Sequence, residues 1–196
     1  MLGRQAKTLS PGALKRVLRQ VRTHPFPIRD RLIVLLSIRA GLRACEIANL
    51  TWDMVCDPKG RIGTAIDVRS SIAKKQSGRR VPVHPEIKQA LLDLRRASLA
   101  RNIAFDRPVI VSARGHAMKP NSIVNWFVAL FAELELEGCS SHSGRRTFIT
   151  NAARQVHRVG GSLRDVQMLA GHRSIETTQG YIDGDTNAQR RLVSLI

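Results

Sequence analysis

Six side chains of this sequence could together carry out phosphoryl transfer. In chain order they are Arg43, Lys74, His142, Arg145, His172 and Tyr181. The tyrosine is the only one among 196 residues, and it lies in the polar stretch HRSIETTQGYID. A lone tyrosine is usually a surface or interface residue. A phenol can also act as a nucleophile, because its ordinary pKa of about 10 lies far below that of an aliphatic alcohol.

The other five side chains supply what phosphoryl transfer without a metal needs. The guanidinium groups of Arg43 and Arg145 are always charged, and each can bind two phosphate oxygens at once. Arg43 lies in the stretch AGLRACEIANLTW, at a glycine-led turn where a helix begins and backbone N–H groups attract anions. A lysine in the loop of the stretch SIAKKQSGRRVPV, Lys74 or its neighbour Lys75, can protonate the departing oxygen. Each motif taken alone is weak, and only the ordered set is specific.

The charge of the chain indicates a polyanionic partner. Lysine and arginine number 32 against 15 acidic residues, which gives a formal net charge of +17. The basic residues are spread along the chain, as expected for a surface that binds a duplex. Double-stranded DNA is therefore the predicted partner. The residues expected to contact DNA outside the catalytic set are Arg79, Arg80, Lys119 and Arg146.

Composition argues against several other classes of protein. The three cysteines form no CxxC pair, which argues against a disulfide framework or a zinc ribbon and favours a reducing cytoplasm. Cys139 and His142 resemble half of a metal site without the other half. No apolar run is long enough to cross a membrane, and no signal peptide is recognisable. We therefore expect a cytoplasmic protein with no cofactor, no metal and no membrane partner.

Hydrophobic spacing predicts a mostly helical chain with a small sheet. Helical patterns begin at or near Pro11, Arg31, Ala44, Pro85, Pro120, Ser143 and Ser162. The helix from Pro120 is expected to end at Gly138. Alternating and β-branched residues from Ile62 to Val83 predict a small antiparallel sheet, with 109–111 as a further strand. The predicted fold class is α+β, mostly α-helical, in a single domain over residues 1–196.

The ordered motifs closely resemble the tyrosine recombinase (phage integrase) family over residues 8–185. That family is recognised by an arginine in a GLR-x-x-E turn, a hairpin lysine ahead of R-x-VP, a His-x-x-Arg box, a GH pair and a tyrosine nine residues later. All six catalytic candidates fall on this pattern, and Glu46 stands where the family has a carboxylate that supports the base and the arginines. Gly144 and Ala170 depart from the family's usual residues at positions that concern packing.

The resemblance implies the fold of the tyrosine recombinase catalytic domain and a specific mechanism. Tyr181 would attack a scissile phosphate and form a 3′-phosphotyrosyl link, which leaves a free 5′-hydroxyl. Arg43 and Arg145 would bind the nonbridging oxygens, and His172 would add a hydrogen bond there. Lys74 would protonate the departing 5′ oxygen. The implied activity is site-specific recombination: integration, inversion or multimer resolution.

The resemblance also implies a base, an assembly and a setting. His142 would accept the proton of Tyr181 and would be held by Glu46. Strand exchange needs paired DNA sites and a homo-tetramer on them, with a monomer as the free form and accessory DNA-bending or directionality proteins. The tail 187–196 would pack on a neighbouring protomer or on its own domain. No separate amino-terminal core-binding domain is expected, and the protein would be nucleoid-associated and encoded by a prokaryote, phage or plasmid.

Two other functions remain open from the sequence. A type IB topoisomerase would use similar chemistry to relax DNA without exchanging strands. A regulator without enzymatic activity would use residues 143–171, which can be interpreted as two helices around a Gly-Gly turn, as a helix-turn-helix. The regulator would explain the charge of the chain, but it would not explain the pairing of Lys74 with a unique tyrosine.

Overall fold

Eight α-helices and a two-stranded sheet form the described part of the computed structural model, which comprises residues 6–73, 77–98, 104, 106–181 and 193–194. The helices are α1 (Pro11–Gln20), α2 (Pro27–Arg39), α3 (Ala44–Ala48), α4 (Pro85–Ala97), α5 (Pro120–Glu133), α6 (Ser143–Gln155), α7 (Leu163–Ala170) and α8 (Ile175–Gln179). Strands β1 (Ala65–Val68) and β2 (Arg79–Pro82) pair antiparallel, with Ala65 opposite Pro82. The predicted fold class is confirmed.

Local sequence signals explain where two of the helices begin. The Ser10 hydroxyl accepts the Ala13 N–H at 3.2 Å, and Pro11 occupies the first helical position of α1. At α7, the Asp165 carboxylate accepts the Ser162 N–H at 2.7 Å as one half of a capping box. Both helix starts agree with the predictions from the sequence.

One strand and one helix end predicted from the sequence are wrong. Residues 109–111 form no strand: Val111 makes only an isolated bridge to Ala117, and the preceding Pro108 has no N–H for a ladder. Helix α5 ends at Glu133 instead of continuing to Gly138. The backbone of Glu135 takes a φ of 53°, which a helix cannot continue through.

The hydrophobic core divides into two clusters around α2 and α6. Helix α2 is buried almost all round, and it packs between α4 and α6, while α3 packs on α5. A smaller cluster joins α6 to α7 through Ile149, Ala153, Val156, Val166 and Ala170. The ring of Tyr181 packs on this second cluster. Within the described residues, no helix has the length and apolar character needed to cross a lipid bilayer.

Gly144 allows α2 and α6 to approach each other closely. A Cβ at this position would lie 2.9 Å from the Ser37 Cβ and closer still to its hydroxyl. This contact explains why the aliphatic residue common in the family is absent here. We expect Gly144→Ala to lower the free energy of unfolding by about 1–3 kcal/mol through overpacking, as measured by urea denaturation.

The control for this prediction is Gly12→Ala in α1, where the nearest atom to a new Cβ is the Ser10 hydroxyl at 4.0 Å. Alanine favours a helix over glycine by up to about 1 kcal/mol, so the control is expected to be as stable as the wild type or more stable. Equal stability of Gly144→Ala and the wild type would show that the two helices can separate at no cost.

Candidate active site

Helix α6 carries Arg145, whose side chain connects three parts of the fold. The residue is only 4% exposed. Its two terminal nitrogens each donate a 2.6 Å hydrogen bond, one to the Gly41 carbonyl and one to the Ala170 carbonyl. Ala170 is the last residue of α7, so the guanidinium lies at the negative end of that helix dipole. Burial, and then the charges of Arg43 and Arg79, lower the pKa of Arg145 to about 10. The group therefore remains charged at neutral pH.

The turn at Gly41 is shaped so that its carbonyl can reach Arg145. Gly41 has a φ of 62°, in the region that favours glycine. A Cβ on this residue would overlap the ring of Phe148, whose Cγ would be 3.1 Å away. The glycine of the GLR motif is thus needed for both its backbone conformation and its lack of a side chain.

Glu46 is completely buried and holds two further arginines. Its carboxylate accepts hydrogen bonds from the Arg43 side chain at 2.7 Å and from the Arg43 backbone N–H at 2.8 Å. Arg79 donates one bond of 2.9 Å to each carboxylate oxygen. Burial alone raises the pKa of Glu46, but the hydrogen bonds and charges of Arg79 and Arg43 outweigh it and lower the pKa to about 2. Glu46 is therefore a carboxylate at neutral pH.

His172 is fixed as a neutral imidazole between Arg145 and Thr178. The ring Nε2 lies 3.1 Å from an Arg145 nitrogen, and the ring Nδ1 lies 3.0 Å from the Thr178 hydroxyl. Because arginine can only donate, Nε2 must accept, and Nδ1 carries the proton that is donated to Thr178. Burial, followed by the charges of Arg145 and Arg43, lowers the pKa of His172 to about 4.

Tyr181 follows α8 and lies against the imidazole of His172. The two rings stack with centroids 5.4 Å apart and an angle of 25° between their planes. The Arg146 guanidinium carbon lies 5.6 Å from the centre of the tyrosine ring. The tyrosine backbone is held by its N–H bond to the Thr178 carbonyl and by the Thr150 hydroxyl. The unique phenol is thus positioned by both its ring and its backbone.

A cleft of about 420 Å³ brings several of the predicted residues together. Its lining consists of Ala6, Ser140, His142, Arg145, Arg146, Glu176, Thr177, Gly180 and Tyr181. His142 lies at the exposed start of α6. His172 is not part of this lining but contacts Arg145 at 3.1 Å, and Arg43 shares the buried carboxylate of Glu46 with Arg79. Lys74 lies outside the described residues.

The role predicted for Glu46 is supported for the arginines. Its carboxylate accepts hydrogen bonds from Arg43 and Arg79. Its predicted support of the base His142 stays a prediction. The N–H of Arg43 is also taken by Glu46, so this part of the α3 amino terminus is already paired.

The residues predicted to contact DNA fall into two groups. Arg80 on β2 and Lys119 before α5 are exposed, and Arg146 lines the cleft, so all three can reach a ligand. Arg79 cannot do so in this arrangement, because its side chain is 4% exposed and bonded to Glu46 and to the Leu169 carbonyl. The reason is strand alternation, which turns Arg79 inward on β2 and Arg80 outward. In this structure Arg79 therefore faces Glu46 and Leu169, and its contact with DNA stays a prediction.

Two polar residues of the site were missed by the analysis of the sequence. Thr178 is fully buried, and its hydroxyl accepts the hydrogen bond from the His172 Nδ1–H described above. Gln167 is 4% exposed, donates to the His172 carbonyl at 3.0 Å and accepts from Arg164 at 2.9 Å. Thr178 belongs to the TTQ stretch before the tyrosine, but nothing in the sequence shows which of the two threonines points inward.

The neutral state of His172 predicts a loss of stability in mild acid. In the unfolded chain His172 takes up a proton below its ordinary pKa of 6.5, whereas in the folded chain it does so only near pH 4. Stability is therefore expected to fall between pH 6.5 and 4, by about 1–2 kcal/mol once solvent screening of the partly exposed ring is allowed for. Urea unfolding at several pH values measures this.

The control variant for the acid effect is His172→Gln, which cannot be protonated in this range. The wild type should lose more stability than the variant between pH 6.5 and 4, since other titrating groups are shared by the two proteins. Parallel pH profiles would show that the imidazole is not held neutral by its surroundings.

Three known proteins are similar to this chain in sequence or in fold. Tyrosine recombinase XerD of Lacticaseibacillus casei is 30% identical over 162 residues, which cover 81% of this chain and 52% of that protein. The crystal structure of XerA recombinase is 27% identical with a TM-score of 0.70, covering 96% of this chain and 64% of that one. The Tn1549 transposon integrase, solved with a circular intermediate DNA, has a TM-score of 0.76 at 18% identity, covering 98% and 66%. The similarity to the Tn1549 integrase shows the fold alone.

The chain spans about half the length of the curated relatives that it matches. The sequence model of the phage integrase family matches residues 7–188, which is nearly all of the chain. That match and the similarity to XerD agree with the resemblance seen in the order of the motifs. The chain belongs to the phage integrase family of tyrosine recombinases.

Proposed function

We propose that this chain cuts and rejoins DNA at specific sites through a covalent 3′-phosphotyrosyl intermediate. The observation that carries the proposal is the meeting of Tyr181, His142 and Arg145 in one cleft beside a buried cluster of charge. In that cluster the guanidiniums of Arg43, Arg79 and Arg145 lie near the Glu46 carboxylate. Among these four described groups three positive charges stand against one negative charge, and this excess of positive charge suits a bound phosphate.

In the proposed reaction the Tyr181 oxygen attacks the scissile phosphorus. A bond forms between this oxygen and phosphorus, and the bond to the 5′ oxygen of the next nucleotide breaks. Arg145 and Arg43 bind the nonbridging oxygens as negative charge builds on them. Lys74 protonates the departing 5′ oxygen. Attack by a 5′-hydroxyl on the phosphotyrosine reverses the step and reseals a strand without ATP.

Two histidines have different proposed roles in this reaction. His142, at the exposed edge of the cleft, accepts the proton of Tyr181. His172 first positions Arg145, since its Nε2 accepts from that guanidinium. A bound phosphate would favour the imidazolium form, which donates from both nitrogens and can then bond to a nonbridging oxygen. His172 would thus change from acceptor to donor when the substrate arrives.

The proposed partner is double-stranded DNA with paired sites. The net charge of +17 and the exposed positions of Arg80 and Lys119 support binding to phosphates. The Tn1549 integrase has been solved with DNA. We further propose that strand exchange takes place in a tetramer of this chain, with accessory proteins that bend the DNA or set its direction. Integration, inversion and resolution of multimers are the outcomes that this chemistry supports.

The test is formation of a covalent adduct on a pool of nicked duplexes of random sequence. The protein is incubated with the pool, and complexes that survive detergent are recovered and sequenced. The proposal predicts enrichment of particular sequences by the wild type and no adduct with Tyr181→Phe, which keeps the ring stacked on His172. An adduct without sequence preference, together with relaxation of any supercoiled plasmid, would indicate a topoisomerase. Sequence-specific binding without any adduct would indicate a regulator.

A further inference from the structure

Arg79 lies at the centre of the hydrogen bonds that connect the catalytic arginines to His172. Its Nε donates to the Leu169 carbonyl at 2.8 Å, and its two terminal nitrogens form a fork on Glu46 at 2.9 Å each. A single side chain from β2 thus binds both α3 and the carboxyl end of α7. We propose that Arg79 is a positioning residue for strand cleavage, an inference that rests on the proposed function.

The first effect of Arg79 is on Arg43. Each Glu46 oxygen that accepts from Arg43 also accepts from Arg79. A carboxylate with two fixed donors on one side has a fixed orientation for the donors on its other side. Arg79 therefore sets where the Arg43 guanidinium points, without itself reaching the cleft.

The second effect of Arg79 is on the end of α7. The carbonyls of Leu169 and Ala170, adjacent in the chain, accept from Arg79 and Arg145 respectively. The next two residues are Gly171 and the catalytic candidate His172. Both guanidiniums therefore fix the same helix end. Through these contacts Arg43, Arg145 and the His172 ring keep fixed positions relative to one another.

Packing shows that the site is built around the stem of Arg79. A Cβ at Gly171 would lie 2.8 Å from the Arg79 Cδ, so a glycine there leaves the space that the arginine occupies. The side chain is 4% exposed, which excludes a direct phosphate contact in this arrangement. An ion pair with a structural role alone could be replaced by an apolar side chain at little cost to function.

Arg79→Met and Arg96→Met form a matched pair that tests this inference, since Arg96 lies in the last turn of α4 with a side chain that is 74% exposed. The substrate is the nicked duplex most enriched by the wild type, and the measurements are the rate of adduct formation at saturating DNA and the DNA dissociation constant. For Arg79→Met we expect the rate to fall by about 10²-fold, as for a displacement of catalytic groups by 1 Å, with the dissociation constant changed by less than about threefold.

For Arg96→Met we expect both the saturating rate and the DNA dissociation constant to stay within about threefold of the wild type. A folded Arg79→Met protein that cleaves within about threefold of the wild-type rate, or that differs only in affinity, would overturn the inference.

Arg79→Lys tests the same inference if the methionine variant does not fold. Lysine keeps the charge but cannot bond to Leu169 and to both Glu46 oxygens at once. We expect its saturating rate to fall by about tenfold, because only part of the geometry is kept. Full activity of Arg79→Lys would show that charge alone suffices, and the positioning role would be wrong. Absence of an adduct with the wild type would instead refute the proposed function itself.

Discussion

Arg145→Lys is expected to slow adduct formation at saturating DNA by about 10²–10³-fold, the loss typical of a donor that stabilises developing negative charge. The guanidinium reaches the Gly41 carbonyl, the Ala170 carbonyl and the His172 ring at once. A lysine ammonium keeps the charge but has no planar fork to span these acceptors and a phosphate. The Gly41 turn and the end of α7 would then lose the group that connects them.

Arg154→Lys is the matched control for this substitution. Arg154 lies in the last turn of the same helix, α6, and is exposed. The same change in chemistry there should leave the cleavage rate within about threefold of the wild type. If Arg145→Lys cleaved as fast as Arg154→Lys, the charge at position 145 would be sufficient and the geometry of the fork irrelevant. The rates are measured with the enriched nicked duplex, after circular dichroism has shown that both variants are folded.

The candidate catalytic side chains could be identified from the sequence because their motifs are local. The GLR turn, the His-x-x-Arg box and the spacing from His172 to Tyr181 are each fixed by a few consecutive residues. Helix starts at Ser10 and Ser162 followed from capping chemistry in the same way. Such local features can be predicted from the sequence because the interacting groups are neighbours in the chain.

The partners of these side chains could not be predicted, because most of them are backbone atoms brought together by tertiary structure. Arg145 is held by the carbonyls of Gly41 and Ala170, which are 104 and 25 residues away in the chain. Every residue has such a carbonyl, so the residue types do not show which one will be the partner. Arg79 is a different case. Strand alternation places it on the same face as the buried Val81, so the sequence contained a signal that it points inward.

Glu46→Gln is expected to lower the free energy of unfolding by about 3 kcal/mol at pH 7, because it removes the carboxylate from a buried cluster of guanidiniums. Its pKa is lowered to about 2 from an ordinary value of 4.5. The stabilisation from the charged form is therefore complete above pH 4.5 and is lost as the pH falls toward 2. The difference between wild type and variant should shrink over that interval, as measured by urea unfolding.

Anions provide a second measurement on the same variant. Without Glu46, the positive charges of Arg43, Arg79 and Arg145 have no carboxylate among them, so sulfate should stabilise Glu46→Gln more than the wild type. Glu137→Gln is the control, since Glu137 is exposed, and it should change stability by no more than about 0.5 kcal/mol. A Glu46→Gln protein as stable as this control, with no added response to sulfate, would mean that the guanidiniums do not need their carboxylate. In that case the orientation of Arg43 would have to come from elsewhere, and the proposed route from Arg79 through Glu46 to Arg43 would also be wrong.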